Sequence, residues 1–273
     1  MTTAAMDRDE VTRVRALYDA QTRRDARPDS AAARTERVGA VVRQTVPGLL
    51  GWNGVLWSEL DEENADAEIA AQIAHFAKHA GADRPTEFEW KLYDHDHPAD
   101  LGERLRAAGF VPEPPETVLV ARTADIAALP VDPPEGITLR VVRDEAGVDL
   151  MMRAHSRAFG TERPRVREQI LGLLRERPRT IEAVLAMAGD TPVSAARMEM
   201  PPGSSFAGLW GGGTAPEWRG RGIYRLLVAH RARVARQRGI PYLQVDASAD
   251  SRPILERLGF QVLGVTVPYV WRG

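Results

Sequence analysis

Residues 207 to 239 read "AGLWGGGTAPEWRGRGIYRLLVAHRARVARQRG", and no other stretch limits the fold as much. An apolar run ending in consecutive glycines predicts a strand, Ala207–Ala215, whose backbone is approached closely, because glycine has no Cβ to hold a neighbour off. Pro216 stops it. The cluster Arg219-Gly220-Arg221-Gly222 then opens a helix over Ile223–Arg238. The leading amides of a helix have no partner within it and its dipole points the same way, so such a start binds anions. Two glycines let phosphate oxygens reach the amides, and Arg219 and Arg221 add charge. A diphosphate is the natural guest.

Several anion sites compete for this pattern. A Walker loop needs Gly-Lys-Ser/Thr before the helix, whereas Gly222 is followed by Ile223-Tyr224. A dinucleotide fold needs a small residue where Arg225 stands, although Asp246 ends the next strand as a ribose ligand would. An antiparallel hairpin just upstream speaks against that fold. An arginine-rich helix start on a solvated face is the bland alternative.

The rest of the chain reads as alternating helices and strands. Asp7–Arg24 is a helix with Val11, Val14, Leu17 and Tyr18 on one face, and Glu36–Thr45 is strand-like. Asn53–Leu60 reads as a strand, Ala65–Ala80 as a helix, Glu87–Tyr93 as a strand, Leu101–Ala108 as a short helix and Glu116–Arg122 as a strand. Proline-rich Ala124–Gly136 reads as a linker. Beyond it come a strand at Ile137, helices over Glu145–Phe159 and Pro164–Arg175, and a hairpin over Ile181–Met200 turning at Gly189-Asp190. Tyr242–Ser248 is a strand, Ser251–Leu258 a short helix, and the last strands follow Phe260.

The order strand, proline, RGRGIY, helix, followed by "SRPILERLGF", resembles the GCN5-related N-acetyltransferase (GNAT) family. Its signature, Gln/Arg-x-x-Gly-x-Gly/Ala before a helix, falls on Arg219, Gly222 and Tyr224, the last departing from the usual small residue. The resemblance implies an α/β (α+β) fold and acetyl-CoA as co-substrate. It lays the pantetheine arm along Gly212, Gly213 and Thr214 and the diphosphate on the amides of Gly220, Arg221, Gly222, Ile223 and Tyr224, with Arg219 or Arg221 at the rim. Ser248 stands where a cofactor-contacting asparagine is common, and Leu255 where the tyrosine general acid is usual. The implied reaction is acetyl transfer to a primary amine of a small molecule or peptide. A carboxylate or a water chain acts as base, with Glu199 the first candidate and Asp246 the second. A cofactor sensor without turnover is the alternative that Leu255 keeps open.

The amino-terminal half has a similar cadence, with "AAGF" at Ala107–Phe110 against "RLGF" at Arg257–Phe260. It resembles a second, degenerate GNAT unit, as in tandem members of the family. Where the anion site should be it carries "DEENADAE", which suits the helix dipole and repels diphosphate. The expected organisation is two GNAT-like units, each a mixed, mainly antiparallel sheet flanked by helices. The first covers 1–123 without a cofactor site, 124–136 links, and 137–273 is the acetyltransferase.

Composition excludes other chemistry. The 273 residues contain no cysteine, so disulfides, thiolate metal sites and a cysteine nucleophile are absent. A net charge of -2 gives no overall basic field for nucleic acid. The basic series Arg225, Arg231, Arg233, Arg236 and Arg238 suits the carboxyl end of a helix and is expected to face solvent. His75 with His79, and His95 and His97 alternating with Asp94 and Asp96, are read as surface histidines rather than a metal site. No apolar run approaches the length of a membrane helix, and the amino terminus lacks the apolar core of a signal peptide. A cytoplasmic enzyme is expected, without nucleic acid or membrane as partner and with a homodimer left open.

Overall fold

A computed structural model describes residues 5–30, 32–47, 52–79 and 87–273. The chain forms two compact units. The first comprises Asp7–Val118, Asp246–Ala249 and Val262–Gly273. It opens with α1 (Arg8–Tyr18), capped by the Asp7 carboxylate, which accepts from the Glu10 amide, and running on into a π-helical turn at Asp19–Arg24. β1 (Arg34–Val38) and β2 (Val41–Thr45) form a hairpin around Gly39, whose φ is 58°. The expectation of one strand over Glu36–Thr45 is thereby corrected: glycine takes this backbone at no steric cost and folds the run back on itself. β3 (Gly54–Ser58), α2 (Ala65–His79), β4 (Glu87–Tyr93), α3 (Leu101–Ala107) and β5 (Val111–Pro112) follow. The expected end of α2, Ala80, lies outside the described residues.

β6 (Glu116–Arg122) leads into the second unit, Leu119–Val245 with Asp250–Gln261 and the extreme amino terminus. The proline-rich segment begins as a helix, α4 (Thr123–Ala127), because its apolar residues Ile126 and Ala127 are buried and it packs on a later helix of the same unit. Reading Ala124–Gly136 as linker throughout was therefore too broad. Next come β7 (Ile137–Val142), α5 (Glu145–Phe159), α6 (Pro164–Glu176), β8 (Ile181–Ala188), β9 (Thr191–Glu199) and β10 (Phe206–Thr214). The chain ends with α7 (Ile223–Gln237), β11 (Tyr242–Ala247), α8 (Arg252–Arg257) and β12 (Gln261–Arg272).

Both units repeat one topology. In the second, β7, β8, β9 and β10 pair antiparallel in sequence, and β10 then pairs parallel with β11 across the connection through α7. In the first, β1, β2 and β3 pair antiparallel and β3 pairs parallel with β4 across α2. β12 pairs antiparallel with β4 as a single unbroken strand, not as separate strands. Within each unit the strand pairing is mixed and mainly antiparallel, and helices flank it.

Burial on both faces explains why β8 is apolar throughout. Ile181, Ala183, Leu185 and Met187 pack with α5 and α6, among Val148, Met151 and Ile170. The alternate residues Val184 and Ala186 pack with Ile223, Leu226 and Leu227 of α7. The core of the first unit gathers Ile69 and Phe76 of α2 with Phe88 and Trp90 of β4, the Phe76 and Phe88 rings stacking at 4.2 Å.

Candidate functional site

In the second unit β10 stays in register with β9 until Trp210, opposite Arg197, and resumes at Gly213, opposite Ala195. Gly211 and Gly212 thus face the single residue Ala196, a β-bulge, and Gly211 takes a φ of 60°. Close packing demands glycine beyond it. A Cβ on Gly212 would lie 2.8 Å from the Tyr224 ring, and one on Gly213 2.4 Å from the Phe159 ring. Ser194 donates to the Gly213 carbonyl at 2.7 Å, and its Oγ lies 2.9 Å from Thr214 Oγ1.

After β10, Pro216–Trp218 forms a short 3-10 turn. Arg219 turns back, donating from Nε to the Thr214 carbonyl at 3.1 Å and from Nη2 to the Ala158 carbonyl at 2.9 Å, so it ties the loop to β10 and α5. Arg221 is exposed, its guanidinium 4.6 Å over the Trp218 ring. Gly222 stands at the helix boundary with a φ of 80°. No side chain caps α7 and no acidic residue lies in its first turn, so the amides at its start face outward without a built-in anion. A Cβ on Gly220 or Gly222 would meet nothing within 4 Å, so the space before these amides is open.

The corresponding helix start of the first unit is filled. Asp61 Oδ1 accepts from the amides of Glu63 and Asn64 at 3.0 and 2.9 Å, and Asp66 and Glu68 stand in the first turn of α2. The Asp61 carboxylate thus takes up the two amides just before α2, and the first turn adds two more acidic residues.

Glu199 ends β9, its side chain 20% exposed, and accepts from Arg197 Nε at 2.9 Å. Asp246 belongs to the first unit, 2% exposed and ion-paired with Lys91. Ser248 is exposed just past β11, and Leu255 is fully buried in α8. Burial pulls the Lys91 ammonium down, but Asp246, with Tyr18, Glu89 and Glu116, outweighs it and holds the group above its ordinary value. Burial pushes the Glu116 carboxyl up to about 7, opposed by Lys91 and reinforced by Asp246 and Glu89.

A carboxyl raised in the folded state contributes stability that is full below its unfolded value and is lost as pH rises through the folded one. Glu116 therefore makes the protein less stable between about pH 4.5 and about 7. Urea denaturation across that window is expected to show this fall, and Glu116→Gln to flatten it. Coincident slopes for the two proteins would contradict the assignment.

The histidines reinforce the first unit. His95 bridges Asp19 at 2.9 Å and Asp94 at 3.2 Å beside the buried Arg23, and His75 Nε2 lies 3.2 Å from Thr45 Oγ1. The side chain of His79 lies outside the described residues. Among the described residues no group of three or more His, Cys, Asp or Glu converges as a metal site.

Residues 145–260 match the model of the acetyltransferase (GNAT) family. By that match this segment is similar to the GNAT acetyltransferases. A GCN5-related N-acetyltransferase from Kribbella flavida has the same fold, at 18% identity over 95% of each chain and a TM-score of 0.68. A tandem GNAT protein from the clavulanic acid biosynthesis pathway is similar over 98% of this chain and 97% of its own, at 16% identity and a TM-score of 0.60. A GCN5-related N-acetyltransferase from Sphaerobacter thermophilus matches 85% of this chain and 76% of its own, at 17% identity and a TM-score of 0.59. No curated protein matches the sequence. Fold and family are consistent with acyl transfer.

Proposed function

We propose that the protein is an acetyl-CoA-dependent N-acetyltransferase acting on a primary amine of a small molecule or peptide by direct attack on the thioester. One observation carries the reading: a bulged, glycine-lined strand leads into a helix start free of side-chain cap and carboxylate. These residues suit acetyl-CoA. The backbone of Gly212, Gly213 and Thr214 would line the pantetheine arm. The amides of Gly220, Arg221, Gly222, Ile223 and Tyr224 would hold the diphosphate, with Arg221 exposed at the rim and Arg219 bracing the loop.

Glu199 would take the proton that the attacking amine must lose. Both carboxylates are ion-paired, Glu199 with Arg197 and Asp246 with Lys91, but Glu199 is 20% exposed and Asp246 only 2%, and on that ground we assign the role to Glu199. As the nitrogen bonds to the carbonyl carbon, the bulge amides would steady the oxygen that becomes negative. The carbon–sulfur bond then breaks and the thiolate leaves. Leu255 offers no proton, but a thiol with a reference pKa of about 8.5 leaves readily and takes its proton from water. We assign cofactor binding to the second unit alone, the first having filled its helix start with Asp61. Among the described residues no helix is long and apolar enough to cross a membrane, and we place the reaction in the cytoplasm.

Leu255, standing where the resemblance implies a proton donor, keeps open a second reading, an acetyl-CoA sensor without turnover. Turnover separates the two. Thiol release from acetyl-CoA across polyamines, amino acids, aminoglycosides and peptide amino termini is expected with at least one amine. Binding without release from any of them would favour the sensor.

A further inference from the structure

Arg231 breaks the pattern of its helix. The basic series of α7 reads as solvent-facing, yet this arginine is 1% exposed. The reason is helical spacing: it stands four residues after Leu227 and eight after Ile223, both buried, and so shares their inward face. Nε donates to the Leu227 carbonyl at 3.0 Å and Nη1 to the Arg197 carbonyl at 2.9 Å. Among the described residues no carboxylate pairs with it. Burial pushes its guanidinium down to about 10, with Tyr224 opposing and Arg197 assisting, so it stays charged at neutral pH.

A buried cation without a counter-ion is costly, and an apolar side chain of similar size is often as stable or more so. The position of this one suggests what offsets the cost. Arg197, whose carbonyl it holds, is the β9 residue opposite Trp210, at the edge where the register shifts. Nη2 stands 3.7 Å from where a Cβ on Gly212 would be, beside the Tyr224 ring. The rigid fork of a guanidinium can brace a bulge from behind while leaving its charge there, which the single point of an ammonium cannot do equally well.

We infer that Arg231 is a positioning residue that fixes the β10 bulge and sets a positive charge behind Gly212, where acetyl transfer puts negative charge on the thioester oxygen. Its chemistry rests on the acetyl-transfer reading, while its structural part stands without it. In a low-dielectric setting such a fixed charge acts on the developing oxyanion without reorganising.

Arg231→Met and Arg231→Lys test this by steady-state kinetics, acetyl-CoA calorimetry and amide hydrogen exchange over Gly208–Thr214. Arg231→Met is expected to melt no lower than the native protein and to bind acetyl-CoA within about threefold of it. Its kcat should fall about tenfold to a hundredfold at unchanged amine KM. Exchange at the bulge should quicken at least about tenfold as the brace is lost. Arg231→Lys should recover part of kcat, having the charge, but not the exchange protection. Native exchange and native kcat in Arg231→Met would overturn the inference, as would kcat and acetyl-CoA affinity falling together. If Arg231→Met does not fold, the same readouts on Arg231→Lys decide. Failure of the native chain to bind acetyl-CoA or turn over would instead sink the functional reading. Exchange at the bulge would then still decide whether Arg231 braces it.

Discussion

Glu199→Gln is expected to lower kcat by about 10²–10⁴-fold, the usual range for a positioned general base. The substitution keeps shape and length but removes the site that accepts the proton. Acetyl-CoA affinity should hardly move, since Glu199 lies on β9 and the diphosphate is assigned to the α7 amides. Stability should change little as well: the pair with Arg197 is partly exposed, and such pairs contribute about 1 kcal/mol or less. The check is kcat against pH for both proteins with the best amine found. In Glu199→Gln the limb of the profile that reports the base should vanish. A loss under about threefold with that limb intact would take the role from Glu199 and leave Asp246 or solvent as the base.

Leu255→Ala should cost about 2–5 kcal/mol of folding stability, the range for truncating a fully buried leucine. Leu255 is 0% exposed, and its carbonyl accepts the amides of Leu258 and Phe260 at 3.0 and 3.1 Å where α8 ends. Emptying that position would leave a cavity under the helix. Urea denaturation of the variant measures the loss. A cost below about 0.5 kcal/mol would mean that α8 collapses onto the gap and that Leu255 anchors nothing. The same burial bears on catalysis. Leu255→Tyr would place a hydroxyl where solvent does not reach, so it should overpack and restore no acid, with turnover no better than in Leu255→Phe.

The bulged strand and the loop after it were legible because glycine and proline act locally. Gly211, Gly212 and Gly213 stand where the backbone bulges or packs against rings, and Gly222 stands at the left-handed boundary of α7. The acidic start of α2 was legible for the same reason, since Asp61 binds amides two and three residues on. What escaped depends on partners distant in sequence. β12 joins the first unit because it pairs with β4, Tyr269 opposite Trp90, and no local pattern announces a pairing across that separation. Lys91 with Asp246 is hidden in the same way. Arg231 was within reach: its spacing from Ile223 and Leu227 put a charge on the apolar face, but a run of arginines around it masked the signal.

Calorimetric titration with acetyl-CoA tests the central claim most directly. The native protein is expected to bind one acetyl-CoA per chain and not NAD. At about 100 times the dissociation constant the ligand should add about 2.7 kcal/mol of stability. Gly222→Val, which places a side chain in the open space before the α7 amides, should bind more than about tenfold less tightly, a loss above about 1.4 kcal/mol. No heat with acetyl-CoA, binding of NAD instead, or a Gly222→Val protein with native affinity would contradict an acetyl-CoA site at this helix start.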